Sequence, residues 1–517
     1  MKSLLLPASL LGLCSLAQAQ GNLLQLQTNM AFGLQSSQIV TLDGTFVPGQ
    51  TLVTDLDLAG MPVTLELAPF SIRDAAFSLK VAGANGERFV DPGDFRTMRG
   101  AVLEDPGSIV AGSLLDDGLY ARISLTSGDD YWLEPLVARV PGAQANQYVL
   151  YHNDDTVSRA GTCGADRLAD NNPKFVPPPS GDTYTMGMHY TADLGVDCDY
   201  RFFQKWGSKG AVKNRVELVI NTMDVEYQRD GNITHRITQI IVRTAQGPYT
   251  QTDPSALLNQ FRSEWNNNQK SVKRDVAHLF TGKNLDGSVI GIAYVGVICN
   301  KNSGYGLVQS DCCGSLSCSA DLSAHELGHN WNLGHCSCSG YTMNSSLTCA
   351  NRFHPSSSIP ALISYRNSRG CLDNPLPGDV LFEDDFESGS MKAGWNCSTA
   401  TRCKMQRASA YNSAWGVALK KTVTLDRAVS TVGYPGVTIV CAERSQNYEA
   451  TEFLTLEWFD GATWNTADQW QQKGWREQFT TLPAAAGNNA AFAVRFSCNA
   501  VGKKERSKLD NVVVVGG

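Results

Sequence analysis

The 517-residue chain is too long for one ordinary core and reads as three or so folded units of ~100 to 200 residues each. It is 42% hydrophobic and 18% charged, the balance of a soluble globular protein. A net charge of -7 leaves no basic surface and excludes nucleic acid as a partner.

The chain opens MKSLLLPASLLGLCSLAQA: Lys2, an apolar run, then Ala17-Gln18-Ala19 as a small-x-small cleavage site. Residues 1–19 are therefore expected to be a signal peptide removed after Ala19. Pro7 and Gly12 interrupt the run, which is shorter than the ~20 residues of a membrane anchor, and Leu13 before Cys14 is larger than lipoprotein processing prefers. No later segment has the apolar length to cross a bilayer. Of fifteen cysteines the leader removes Cys14, and the remaining even number, in an oxidising compartment, is expected to be mostly disulfides.

From residue 20 to about 160, short alternating runs such as TLVTDLDL, PVTLELAPFSI and GLYARISL predict a β-rich unit. It ends in ADNNPKFVPPPSGD, whose prolines suit an exposed, protease-accessible linker, so a mature chain would begin near Tyr184. Over residues 184–375 strands alternate with helical stretches: SALLNQFRSEWNNNQ reads as helix, SVIGIAYVGVIC as a strand, and an α/β or α+β domain is expected. PLPGD marks a boundary, and residues 380–517 return to short strands that predict a β-sandwich.

Chemistry concentrates in HELGHNWNLGH, residues 325–335. His325 and His329, four apart, share one face of a helix. Asp321 or Ser323 is the expected cap, with Ser323 and Glu326 spaced as a capping box, which would put the histidines near the helix start. Leu327 and Trp331 lie on the opposite face and would enter the core. A catalytic zinc takes three protein ligands and keeps one position open. His335 becomes the third ligand if the helix ends near Asn332, since Asn tolerates the left-handed turn next best to Gly, at ~1 kcal/mol. Glu326, beside the first ligand, is placed to take a proton from an attacking water, the arrangement of metal-assisted amide hydrolysis.

HExxH, a third histidine six residues on and the methionine of GYTMN together resemble the metzincin metalloproteases, with Met343 in the Met-turn. DVAHLFTGKNLDGSVIGIAYVGVIC (residues 275–299), CSCSGYTM and CLDNP narrow the resemblance to the reprolysin or adamalysin branch over residues 184–375. The resemblance implies a secreted zinc endopeptidase acting on proteins or peptides, with a five-stranded-type mixed sheet and an active-site helix, behind a propeptide at residues 20–183. It implies that the strand around Ile292, Ala293, Tyr294, Val295 and Gly296 is the edge on which an extended peptide lies, although the apolar run equally permits an interior strand. It also implies a Cys299 to Cys371 disulfide.

CGAD around Cys163 resembles the cysteine-switch peptide of metzincin propeptides, in which a thiolate would fill the open zinc position. The alternative is a disulfide from Cys163 to Cys198, which the even cysteine count favours. Cys312, Cys313, Cys318, Cys336, Cys338 and Cys349 could form three bridges in fifteen pairings, among which sequence does not choose. Two positions depart from the branch: Asn332 replaces Gly, and Cys336 stands where Asp is usual. They leave a competing reading, a secreted binding protein that keeps the metalloprotease fold for adhesion, against which the intact ligands and Glu326 argue.

Six of the ten tryptophans (Trp395, Trp415, Trp458, Trp464, Trp470, Trp475) follow residue 390. Most are expected to fill a core, while exposed ones would suit contact with a surface or a glycan. FEDDFESG and KLDNVVVV resemble the jelly-roll modules appended to secreted bacterial enzymes, which implies a structural Ca2+ at Asp384, Asp385 and Asp510.

Overall fold

The computed structural model describes residues 9–44, 46–158, 161–168, 190–373, 379–410, 415–471 and 475–517. The first residues of the expected leader, the proline-rich linker and the expected mature start at Tyr184 lie outside the described residues.

Alternation builds the first sheet. Leu52–Leu58 turns Leu52, Leu56 and Leu58 inward, and Met61–Pro69 answers with Val63, Leu65 and Leu67. Eight strands pair antiparallel in the order Gln38–Thr41, Gln147–His152, Asp130–Pro135, Gly118–Ser124, Asp105–Leu115, Thr97–Val102, Met61–Pro69, Leu52–Leu58. Residues 20–32 depart from the expected strands and belong to the helix Ser9–Phe32. The reason is local: from Asn22 to Phe32 there is no Gly or Pro, Thr28 is the only β-branched residue, and Leu, Gln, Met and Ala favour helix.

The second sheet also has eight strands, and they come from both sides of the linker. Its order is Thr162–Cys163, Val289–Ala293, Tyr305–Val308, Val276–Phe280, Tyr190–Cys198, Ile233–Arg243, Arg73–Gly83, Gly86–Val90. Val276–Phe280 runs parallel to Tyr190–Cys198 and to Tyr305–Val308, and Val289–Ala293 runs antiparallel to Tyr305–Val308. The β-rich region before the linker is thus not a separate unit. It supplies strands at both edges of this sheet and shares one compact unit with residues 191–372.

Helix Lys209–Gly231 joins the two sheets. It is buried nearly all round, including Asn221, Thr222, Asp224 and Glu226, because the first sheet meets it with polar groups: Asn221 Nδ2 donates to Gly112 O at 2.8 Å, and Arg122 donates to Thr222 O at 3.1 Å. Arg122 is itself buried against Asp130 at 2.6 Å.

The C-terminal unit, residues 379–517 as described, consists of two antiparallel sheets. One runs Cys403–Gln406, Gly416–Lys420, Arg506–Gly516, Val437–Gln446, Arg476–Thr481, with Asp379–Asp384 also paired to Arg506–Gly516; the other runs Trp395–Cys397, Val423–Ala428, Ala493–Cys498, Leu454–Phe459, Trp464–Trp470. Leu419, Leu425, Leu454, Phe496 and Val512 share one core. Of the six tryptophans, Trp458 and Trp470 are buried, and Trp395, Trp415, Trp464 and Trp475 are half-buried. The expected calcium ligands do not gather. Asp384 instead accepts from the N–H groups of Phe386, Lys392 and Trp395, and among the described residues no group of three carboxylates in this unit is close enough to share a cation.

Candidate metal centre

The helix that carries the motif is Leu316–Asn330, and Ser315 caps it by accepting from Cys318 N at 3.3 Å. Asp321 and Ser323, expected as caps, are buried inside it, and His325 and His329 lie in its last turns rather than near its start. The local signal misleads at Asp321 because its carboxylate is engaged elsewhere, accepting from Thr342 and Asn351. Leu327 and Trp331 are fully buried, as the opposite face requires.

Asn332 ends the helix with φ +71°. Its N–H reaches His329 O at 2.9 Å, and Leu333 N reaches Gly328 O at 2.9 Å, the two bonds of a Schellman turn. The chain doubles back and delivers His335. Asn332→Gly is therefore expected to change stability by less than about 1 kcal/mol, whereas Asn332→Val, β-branched in a left-handed conformation, should cost about 1–3 kcal/mol. Thermal unfolding of the two variants checks this; equal losses would mean the turn does not depend on φ here.

The three imidazoles converge. His329 Nε2 lies 3.1 Å from His325 Nε2 and 3.2 Å from His335 Nε2. Their other nitrogens are occupied: His325 Nδ1 faces Thr342 O at 2.6 Å and His329 Nδ1 faces Leu333 O at 2.8 Å. A carbonyl only accepts, so both Nδ1 atoms carry hydrogen and both Nε2 atoms are bare lone pairs. Bare nitrogens this close repel unless a cation lies between them, and zinc–nitrogen bonds of ~2.0–2.1 Å give this spacing in a tetrahedron. The residues present fit zinc. Burial, with help from the neighbouring imidazoles, pushes His325 down to about 3 and His329 well below the usual imidazole range, so both are neutral donors.

Glu326 is fully buried beside them and its Oε1 has no partner. Burial pushes its carboxyl up to about 8, a shift that a nearby divalent cation opposes. Gly291 makes room for it, since a Cβ there would overlap the Glu326 carboxylate. Met343 is buried beneath the motif: a Cβ on Gly328 would meet its Sδ at 2.6 Å.

Cys163 is not joined to Cys198; both are free thiols. Its Sγ lies 3.4 Å from His329 Nε2 and 3.6 Å from Glu326 Oε2, and with the three histidines it forms one group of candidate ligand atoms. Burial, then the Glu326 charge, pushes the thiol well above its usual range; a bound cation would reverse that. Thr162–Cys163 pairs parallel with Val289–Ala293, and Gly164 N donates to Gly291 O at 2.9 Å. Asp166, legible in sequence only as part of CGAD, lies 3.0 Å from His335 Nδ1.

Of the expected edge residues, Ile292 and Ala293 lie in the strand Val289–Ala293, at one end of the strands contributed by residues 190–308, where it is covered by Thr162–Cys163. Tyr294, Val295 and Gly296 have already left it. Gly296 turns with φ +67° and donates to His329 O, and a Cβ there would meet Asn332 Oδ1 at 2.6 Å, so the strand's end is set by packing against the helix turn. Cys299 is joined to Cys371, and the six cysteines around the site pair as Cys312–Cys313, Cys318–Cys349 and Cys336–Cys338. Sequence reasoning missed Thr342 and Leu333, which act through backbone carbonyls that leave no compositional mark.

Residues 188–368 match the family model described as metallo-peptidase family M12, of the reprolysin type. Among curated proteins, the zinc metalloproteinase-disintegrin-like atragin of Naja atra is 26% identical over 328 residues, 56% of this chain and 52% of that protein. The chain thus spans about half the length of that relative. Partial overlaps with solved structures include the CBM22-1 xylan-binding domain of Paenibacillus barcinonensis Xyn10C (14% identity, 27% of this chain, 95% of that one, TM-score 0.23) and TmCBM61 in complex with beta-1,4-galactotriose (12%, 27%, 99%, TM-score 0.23). The match in sequence and the convergence of the histidines fall on one stretch of chain, and that stretch is a reprolysin-like metzincin domain of metallo-peptidase family M12.

Proposed function

We propose that this chain is a secreted zinc endopeptidase that hydrolyses peptide bonds in protein substrates and is made as a latent precursor. In this reading residues 1–19 are the leader, 20–183 the propeptide, 184–375 the catalytic domain and 380–517 an appended module. The observation that carries it is one cluster of three converging Nε2 atoms, the Glu326 carboxyl and, along the neighbouring strand, an extended segment ending on the Cys163 thiol.

His325, His329 and His335 would hold the zinc, which when bound polarises a carbonyl and lowers the pKa of a water to ~7. Val289–Ala293 lays out an extended substrate by main-chain hydrogen bonds once the Thr162–Cys163 segment has left. Glu326 takes the proton of the attacking water on its carboxylate and returns it to the departing amine nitrogen.

The purified, matured protein is expected to contain zinc, to cleave casein, and to lose and regain that activity with chelator and added Zn2+. Its unfolding temperature should fall on metal removal, since ligand at a thousand times its Kd stabilises by ~4 kcal/mol. Undiminished proteolysis at zero metal content would overturn the reading.

A further inference from the structure

Three separate segments meet at one hydroxyl under the metal site. Thr342 Oγ1 lies 2.7 Å from Glu226 Oε1, on helix Lys209–Gly231, and 2.7 Å from Asp321 Oδ1, on helix Leu316–Asn330. All three residues are buried, and Arg352 N also donates to the same hydroxyl at 3.1 Å. A threonine hydroxyl has one hydrogen and can satisfy one carboxylate. Two ionised carboxylates only accept, so the second short contact requires a carboxylic acid that donates to Thr342 Oγ1.

The donors decide which carboxyl holds the proton. Asp321 Oδ1 also receives Asn351 N at 2.9 Å, and its Oδ2 lies 3.5 Å from Thr348 Oγ1. Glu226 has no such support: its Oε2 is buried without a partner. Burial raises both groups, and hydrogen bonds oppose the rise at Asp321, whereas the Asp321 charge adds to it at Glu226. The hydrogen bonds therefore run from the Glu226 acid to Thr342 Oγ1, and from the Thr342 hydroxyl to Asp321.

The same Thr342 presents its carbonyl to His325 Nδ1 at 2.6 Å and precedes Met343. We propose that Glu226, as a neutral acid, and Asp321, as a carboxylate, are positioning residues for the metal centre: they clamp Thr342, whose carbonyl fixes the ring and tautomer of His325. This rests on the metal-binding reading of that site and extends it to residues that touch neither metal nor substrate. A partner one step beyond a ligand commonly changes metal affinity by about 10- to 100-fold.

The test uses the full-length chain, stripped of metal and titrated with Zn2+ against a competing chelator. Glu226→Gln places an amide N–H where the acid O–H lies and is expected to leave zinc affinity unchanged, and Thr342→Ser, which keeps the hydroxyl, should do the same. Glu226→Ala and Thr342→Val should weaken binding by about 10- to 100-fold. Infrared spectra at neutral pH should show a buried protonated carboxyl in the parent that disappears in Glu226→Gln, a readout that needs only a folded Gln variant. If Glu226→Gln weakens zinc as much as Glu226→Ala, or if the protonated-carboxyl band is absent from the parent, the inference fails while the zinc site stands. A parent chain that binds no zinc overturns both.

Discussion

Glu326→Gln is expected to leave zinc bound and to lower kcat/KM of the matured protein by about 10²- to 10⁴-fold, the range a positioned general base contributes. The substitution is informative because Gln has the shape of Glu. Glu326 is fully buried over Gly291, with no room for a larger group, so an isosteric amide keeps the packing and removes only the capacity to accept a proton. The ligands are untouched, and zinc content should equal the parent's. A loss of about 3–5 kcal/mol in transition-state stabilisation with unchanged metal content and unfolding temperature places the effect in the proton transfer. Casein cleavage within a few-fold of the parent's rate would remove Glu326 from the mechanism, and loss of zinc would instead make it a structural residue.

The convergence of the three histidines was legible because its determinants are local. Four-residue spacing aims His325 and His329 together, and a left-handed Asn332 returns the chain to His335; both follow from backbone geometry over eleven residues. What the sequence hid depends on distant partners. The helix is capped at Ser315 and runs on through Asp321, which reads as a cap until its partners Thr342 and Asn351 are known. Helix Lys209–Gly231 shows no clean apolar stripe because the first sheet covers its polar side with Arg99 and Arg122. Period-two alternation identified the strands on either side of the linker, but not that Arg73–Gly83 would pair with Ile233–Arg243, since pairing across so long a gap is set by edge complementarity and burial. The count of cysteines likewise said nothing of place: Cys163 is kept from Cys198 by the strand that carries it into the histidine cluster.

Cys163→Ser in the full-length chain is expected to produce a precursor that cleaves small peptide substrates at least about tenfold faster than the parent precursor, a change of ~1.4 kcal/mol in the latent state. Two kinds of contact hold the segment besides the side chains of Thr162, against Ser288, and Asp166, against His335. One is the backbone: Thr162 N bonds Ser288 O at 2.8 Å, Gly164 N bonds Gly291 O at 2.9 Å, Cys163 N bonds Ser345 O at 3.0 Å, and Leu347 N bonds Gly161 O at 2.9 Å. Serine keeps all four. The other is the thiol, 3.4 Å from His329 Nε2 and 3.6 Å from Glu326 Oε2. A thiolate is a strong zinc donor and a serine hydroxyl a poor one, so the substitution removes the contact that would exclude water from the fourth position and leaves the backbone plug in place. The plug alone exchanges with solvent and with short peptides, because strand-edge hydrogen bonds open on their own more readily than a metal–thiolate bond breaks. Maturation, followed by N-terminal sequencing of the secreted chain, should accelerate in step if the enzyme cleaves its own linker, and should not change if another protease does. A Cys163→Ser precursor as inactive towards small peptides as the parent would show that the thiol is not the latch and that the segment's remaining contacts, its backbone and the Thr162 and Asp166 side chains, close the site.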